Sequence, residues 1–138
     1  MSLLTALVGY HAIVGDGASA LLTARGAMAM VRRLGQPTTG ARIVQHVAAV
    51  IAKSGDYERA ARMLGYADAA YARVEYQRDS TEQQTFEMAM GQLRKVLTWE
   101  HIARLESEGR DLQDDEAIDE ALEVKSRFDD ATAGARRH

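Results

Sequence analysis

Apolar residues recur along this chain at spacings of three and four, the signature of helices that bury one face. Residues 2–14 form a first apolar helix, closed by Gly15-Asp16-Gly17. Glycine tolerates the left-handed backbone that ends a helix, and Asp16 can cap the next one. A second helix is predicted from about Gly17 to Leu34, with Ala20, Ala24, Ala27, Val31 and Leu34 on one face. The segment Gly35 to Gly40 holds two glycines and the only proline and reads as the clearest loop. A third helix is predicted from Ala41 to Lys53, striped by Ile43, Val44, Val47, Ala48 and Ile51. Ser54-Gly55-Asp56 ends it, Asp56 repeating the capping role of Asp16. A fourth runs from Tyr57 to about Val74 on Ala60, Leu64, Ala67, Tyr71 and Val74.

Three further helices follow. Ser80 with Gln83, or Asp79 with Glu82, fits a capping box ahead of Phe86, Ala89, Met90, Leu93 and Leu97. Thr98 can cap a sixth helix, from Trp99 to about Glu108, which Gly109 ends. Asp114-Asp115-Glu116 suits the positive start of a seventh, with Ile118, Ala121 and Leu122 inward. The expected organisation is one domain over residues 1–125 and a disordered tail over 126–138. The fold class is all-α, an antiparallel array of helical hairpins of about seven helices.

Two of these elements repeat. Gly15-Asp16 and Gly55-Asp56 stand 40 residues apart, and at that offset Ala20 matches Ala60 and Ala27 matches Ala67. Small residues along one line let two helices joined by a short turn approach closely. A hairpin used twice is the pattern of helical solenoids. With Ala48, Tyr57, Ala60, Leu64 and Ala67, the second copy resembles tetratricopeptide repeats, although its 40-residue spacing exceeds their usual 34. The stretches GDYERAARMLGYADAA, FEMAMGQLRKVL and EGRDLQDDEAIDEAL, in this order, carry a narrower resemblance. Together they resemble the C-terminal end of the helical-repeat region of large bacterial regulators. Those proteins join a signal-transduction ATPase module to such repeats, often with a LuxR-type or winged-helix DNA-binding domain or a cyclase domain. The resemblance implies a sensory or scaffold role in transcriptional regulation or signalling and no catalytic residues.

Gly65 decides between two functions. A turn there would make residues 57–78 a helix-turn-helix that reads DNA. The apolar stripe instead runs through Gly65 without changing phase, and the would-be recognition helix is poor in donors for bases or phosphates. Gly65 is therefore expected inside a helix, as a spacer against a neighbour. The net charge of -3 also argues against phosphate binding.

Composition narrows the rest. The chain has 138 residues, 46% of them hydrophobic and only 6% aromatic, so alanine and aliphatic side chains must fill the core. Cysteine is absent, which suits the cytoplasm and removes disulfides. The opening MSLLTALVGYHAIV lacks a basic leader and does not read as a signal peptide. His11, His46, His101 and His138 form no metal-ligand spacing, and the cluster Asp114 to Glu120 lacks the alternating pattern and glycine of a calcium loop. Core packing is expected of Trp99 and of the methionines. No nucleophile stands beside a base, so no enzyme, cofactor or metal is expected. The expected partner is a protein, a peptide or other domains of a parent regulator, with a homodimer among the arrangements, no membrane and no direct nucleic-acid contact. Arg42, Gln45 and His46 are the expected contacts, on a concave surface lined by the first helix of each hairpin.

Overall fold

Turn chemistry sets the boundaries of every element. The computed structural model describes residues 2–122, and their regular structure is all helical, with no strand. The order is α1 (Ser2–Ile13), α2 (Gly17–Leu34), α3 (Pro37–Lys53), α4 (Tyr57–Arg73), α5 (Ser80–Val96), α6 (Trp99–Arg110) and α7 (114–122). The expected tail from residue 126 lies outside the described residues.

The turns after α1 and α3 share one backbone course. Gly15 has φ +85° and Gly55 φ +96°. Asp16 sits at φ -91°, ψ 74° and Asp56 at φ -90°, ψ 69°. The Asp16 N–H donates to the His11 carbonyl at 2.9 Å, and the Asp56 N–H to the Ile51 carbonyl at 3.2 Å. The caps differ in one respect. Asp16 accepts from the Ser19 N–H at 3.1 Å, whereas the Asp56 side chain makes no cap bond and meets Arg59 Nε at 3.3 Å. A guanidinium three residues on competes for the same carboxylate.

Two expected boundaries move. The loop predicted over residues 35–40 shrinks to Gly35-Gln36, because Pro37 occupies the first turn of α3, where a missing N–H costs nothing. Gly109 does not end α6. The helix continues to Arg110 because Gly109 is a contact residue, not a stop. At α5 the Asp79–Glu82 capping box forms in both directions, at 2.8 and 2.9 Å.

The short turns force α1 against α2 and α3 against α4 as antiparallel hairpins. Around them α3 touches α1, α2 and α5, while α6 lies along α4. The α4–α6 seam explains two glycines at once. A Cβ on Gly65 would stand 2.1 Å from the Glu106 carbonyl oxygen, and one on Gly109 would stand 1.8 Å from the Arg62 carbonyl oxygen. Each glycine lets the other helix's backbone take the place of a side chain, closer than side-chain ridges allow. Helix α4 runs unbroken through Gly65, so the turn required for reading DNA through residues 57–78 is absent.

Helix α7 closes the other side. Ala117, Ile118 and Ala121 are buried, the Arg59 guanidinium donates to the Glu120 carbonyl at 3.1 Å, and Arg32 donates to Asp119 at 2.5 Å. The hydrophobic core is continuous from Val8 to Ala121, filled by alanines around Met28, Ile43, Ile51, Met63, Leu64 and Tyr66.

Candidate interaction surface

Helix α3 is the centre of the molecule. Its residues from Ile43 to Ala52 are all buried, polar ones included. Gln45 and His46 therefore face neighbouring helices, not a groove. Helices α1 and α5 both pack on α3 and touch each other, which closes the first-helix side where a concave surface was expected. Gly9 makes that closure possible. A Cβ there would lie 2.8 Å from both His46 Cε1 and Thr81 Cγ2.

What α3 presents to α5 is a polar network. Gln45 Nε2 donates to the Thr85 hydroxyl and to the Glu82 carbonyl, both at 2.8 Å, and His46 Nδ1 lies 2.8 Å from the same hydroxyl. The Gln45 carbonyl oxygen accepts from Arg78 Nε at 2.7 Å and from the Tyr71 hydroxyl at 3.4 Å. Glu82 is fully buried. Its carboxylate accepts from Arg42, from the Tyr76 hydroxyl at 2.7 Å and from the Asp79 N–H at 2.9 Å. Arg42 also stands 3.5 Å from Asp79, and Arg78 pairs with Asp68 and lies over the Phe86 ring at 4.2 Å. Arg42, Gln45 and His46 thus meet in one place, but their polar atoms are turned inward and bonded to α4, α5 and the 74–79 connection, not set out for a partner. A buried charge needs this density of partners.

The electrostatics follow the burial. Enclosure among α1, α3 and α5 pushes the His46 imidazole down to about 4, against the pull of the Glu82 and Asp79 carboxylates. Burial and the bond to Glu82 push the Tyr76 hydroxyl up to about 12. At neutral pH the network holds a neutral histidine, neutral tyrosines and charge-paired arginines. No described group of three or more His, Asp or Glu is placed to hold a metal ion.

The surface with an unmet requirement lies on α1. This helix contains no Asp, Glu, Lys or Arg. Thr5, Val8 and Ala12 face the core, with Gly9 against His46. On the opposite side Leu3 is 82% exposed, Leu7 39%, Tyr10 59% and Val14, just past the helix end, 55%. A helix apolar all round belongs in an interior, yet none of the described elements covers this side. Trp99, expected in the core, is also exposed, at 65%. As the first residue of α6 it sits on the helix rim, where Arg94 covers its ring at 4.9 Å.

No described helix is long and apolar enough to cross a membrane. In comparisons with known proteins, no family model, no curated protein and no solved structure matches this chain.

Proposed function

We propose that this chain is a non-catalytic interaction module, a tetratricopeptide-like array of helical hairpins that docks a protein through the outer face of α1. The observation that carries this reading is the uncharged row Leu3, Leu7, Tyr10 and Val14, exposed on a helix whose other face is core. Contiguous exposed apolar surface marks an interaction site, and Leu3, Leu7, Tyr10 and Val14 line one face of one helix, whereas the other large exposed apolar residues are spread over α2, α5, α6 and the end of α4. The arrangement of hairpins supports the repeat reading: two superimposable glycine-aspartate turns, with the first helix of each hairpin packed on the first helix of the next. The polar side chains of the α3–α5 network are engaged with one another, which suits a rigid scaffold better than catalysis. The resemblance to the helical-repeat end of large bacterial regulators supports reading such a module as the sensory or scaffold part of a cytoplasmic transcriptional regulator or signalling ATPase.

The test is photo-crosslinking in living cells. A benzophenone side chain in place of Tyr10 is expected to capture a protein adduct. The same group in place of Gln84, exposed on α5, is expected to capture none. Equal adducts at both positions, or none at Tyr10, would remove the reading.

A further inference from the structure

The row on α1 has a symmetry of its own. Leu3, Leu7, Tyr10 and Val14 are separated by four, three and four residues, so the spacing reads the same from either end. It is also the alternation of a coiled-coil seam, in which successive inward positions fall three and four apart. We propose that the occupant of this face is a second copy of the chain, with the two α1 helices packed antiparallel about a two-fold axis between Leu7 and Tyr10. This inference rests on the interaction-module reading and names the partner.

A two-fold contact must be self-complementary, since the same patch serves both copies. The palindromic spacing meets that condition. Leu3 of one copy falls opposite Val14 of the other, and Leu7 opposite Tyr10. Absence of charge meets it as well. A two-fold axis sets a charged patch against its like, whereas α1 carries no Asp, Glu, Lys or Arg to repel its twin. Antiparallel packing also sets the positive N-terminal end of each α1 beside the negative C-terminal end of its mate. The four residues, with the flanking Ala6 and His11, offer a small contact at the lower end of interface sizes. An area at that lower bound fits a reversible dimer. A membrane surface is the weaker occupant, because helices that lie in lipid headgroups carry Lys and Arg along their polar face and α1 has neither.

Sedimentation equilibrium of the full chain from low to high micromolar concentration should show a mass rising from one copy towards two. Leu7→Lys places two ammonium groups beside the axis and should hold the chain at one copy with its helical circular dichroism unchanged. Leu7→Glu should do the same, and mixing the two variants should restore the pair. The chain has no cysteine, so added ones report geometry. Leu3→Cys mixed with Val14→Cys should cross-link between the two variants, while Leu3→Cys alone should not. A single copy at every concentration would overturn the proposal. So would Leu3→Cys joining to itself, or binding to anionic lipid vesicles that Leu7→Lys abolishes while the chain stays monomeric. If the chain is monomeric yet a Tyr10 photo-crosslinker still captures a different protein, the second copy fails and the interaction-module reading stands.

Discussion

The α4–α6 seam and the outer face of α1 answer one question in opposite ways: how close a second helix comes. At the seam, Gly65 and Gly109 remove their side chains, and backbone meets backbone. On α1 the side chains project, and no described helix meets them. The seam is specific because it has no room, and it is satisfied within one chain. The α1 face is generic in shape, a ladder of large apolar residues. Rigidity belongs to the first, and recognition is the role proposed for the second.

The comparison breaks most sharply at the seam. Gly65→Ala sets a methyl carbon 2.1 Å from a carbonyl oxygen, and the obstacle is helix backbone that cannot rotate away. Overpacking against movable side chains costs about 1–3 kcal/mol. Here α6 must shift as a whole, so the loss is expected to exceed about 3 kcal/mol, a large share of a small domain's stability. Gly109→Ala should match it, and the double variant should fall short of the sum because either methyl alone opens the seam. Urea denaturation of the three variants measures this. A loss below about 1 kcal/mol for Gly65→Ala would mean that the two backbones are not in contact.

A smaller effect tests the closed side of α3. Burial lowers the folded pKa of His46 from 6.5 to about 4. Above pH 6.5 the imidazole is neutral folded or unfolded and adds no pH dependence. As pH falls from 6.5 to about 4, the unfolded chain takes up a proton that the folded chain refuses, so stability is lost across that window. The loss approaches about 3 kcal/mol at its acid end and grows no further below it. Stability curves of the native chain and of His46→Gln, measured against pH, should diverge in this window alone. Parallel curves would place His46 in contact with water.

Most of the helices were legible in the sequence because their signals are local. Glycine before aspartate, stripes at three and four, and Asp79 ahead of Glu82 each act within one or two turns of chain. Gly65 was legible as a helical residue because the stripe keeps its phase through it. Gly109 was not, since a glycine near a helix end reads as a stop and only the position of α4 shows otherwise. Arg42, Gln45 and His46 read as contacts because polar residues on a first helix suggest a groove. The contrary signal was present. No Asp, Glu, Lys or Arg interrupts Ile43 to Ala52, and a helix with no charged face must bury what polar groups it has. Their partners Glu82 and Thr85 lie about 40 residues away and cannot be read from spacing. Sequence alone leaves the cover of α1 open, since an apolar helix looks the same whether its cover comes from its own chain or another.

A modest gain is expected at the end of α4. Among the described residues, three left-handed turn positions are glycines, Gly15, Gly35 and Gly55, and a fourth is Glu75, at φ +55°. The Tyr76 N–H still closes the turn on the Tyr71 carbonyl at 2.9 Å. Glu75→Gly keeps that bond and relieves the side chain's strain, for a gain of about 0.5–1 kcal/mol. A rise in the thermal midpoint checks it, and a fall would mean that the Glu75 side chain contributes more than its backbone costs.

The smallest expected effect is the most discriminating for α1. Leu3→Ser removes a large apolar side chain that is 82% exposed. A truncated core leucine costs about 2–5 kcal/mol, whereas a surface substitution stays within about 0.5 kcal/mol. In dilute solution, where copies are apart, Leu3→Ser should therefore leave the unfolding midpoint almost where it was. At high concentration the native chain should gain stability from pairing, and the variant should gain less. The gap between the two midpoints should widen as concentration rises, which ties the α1 face to a second molecule. A gap that is already large in dilute solution would mean that Leu3 is covered within its own chain, and α1 would then resemble the seam.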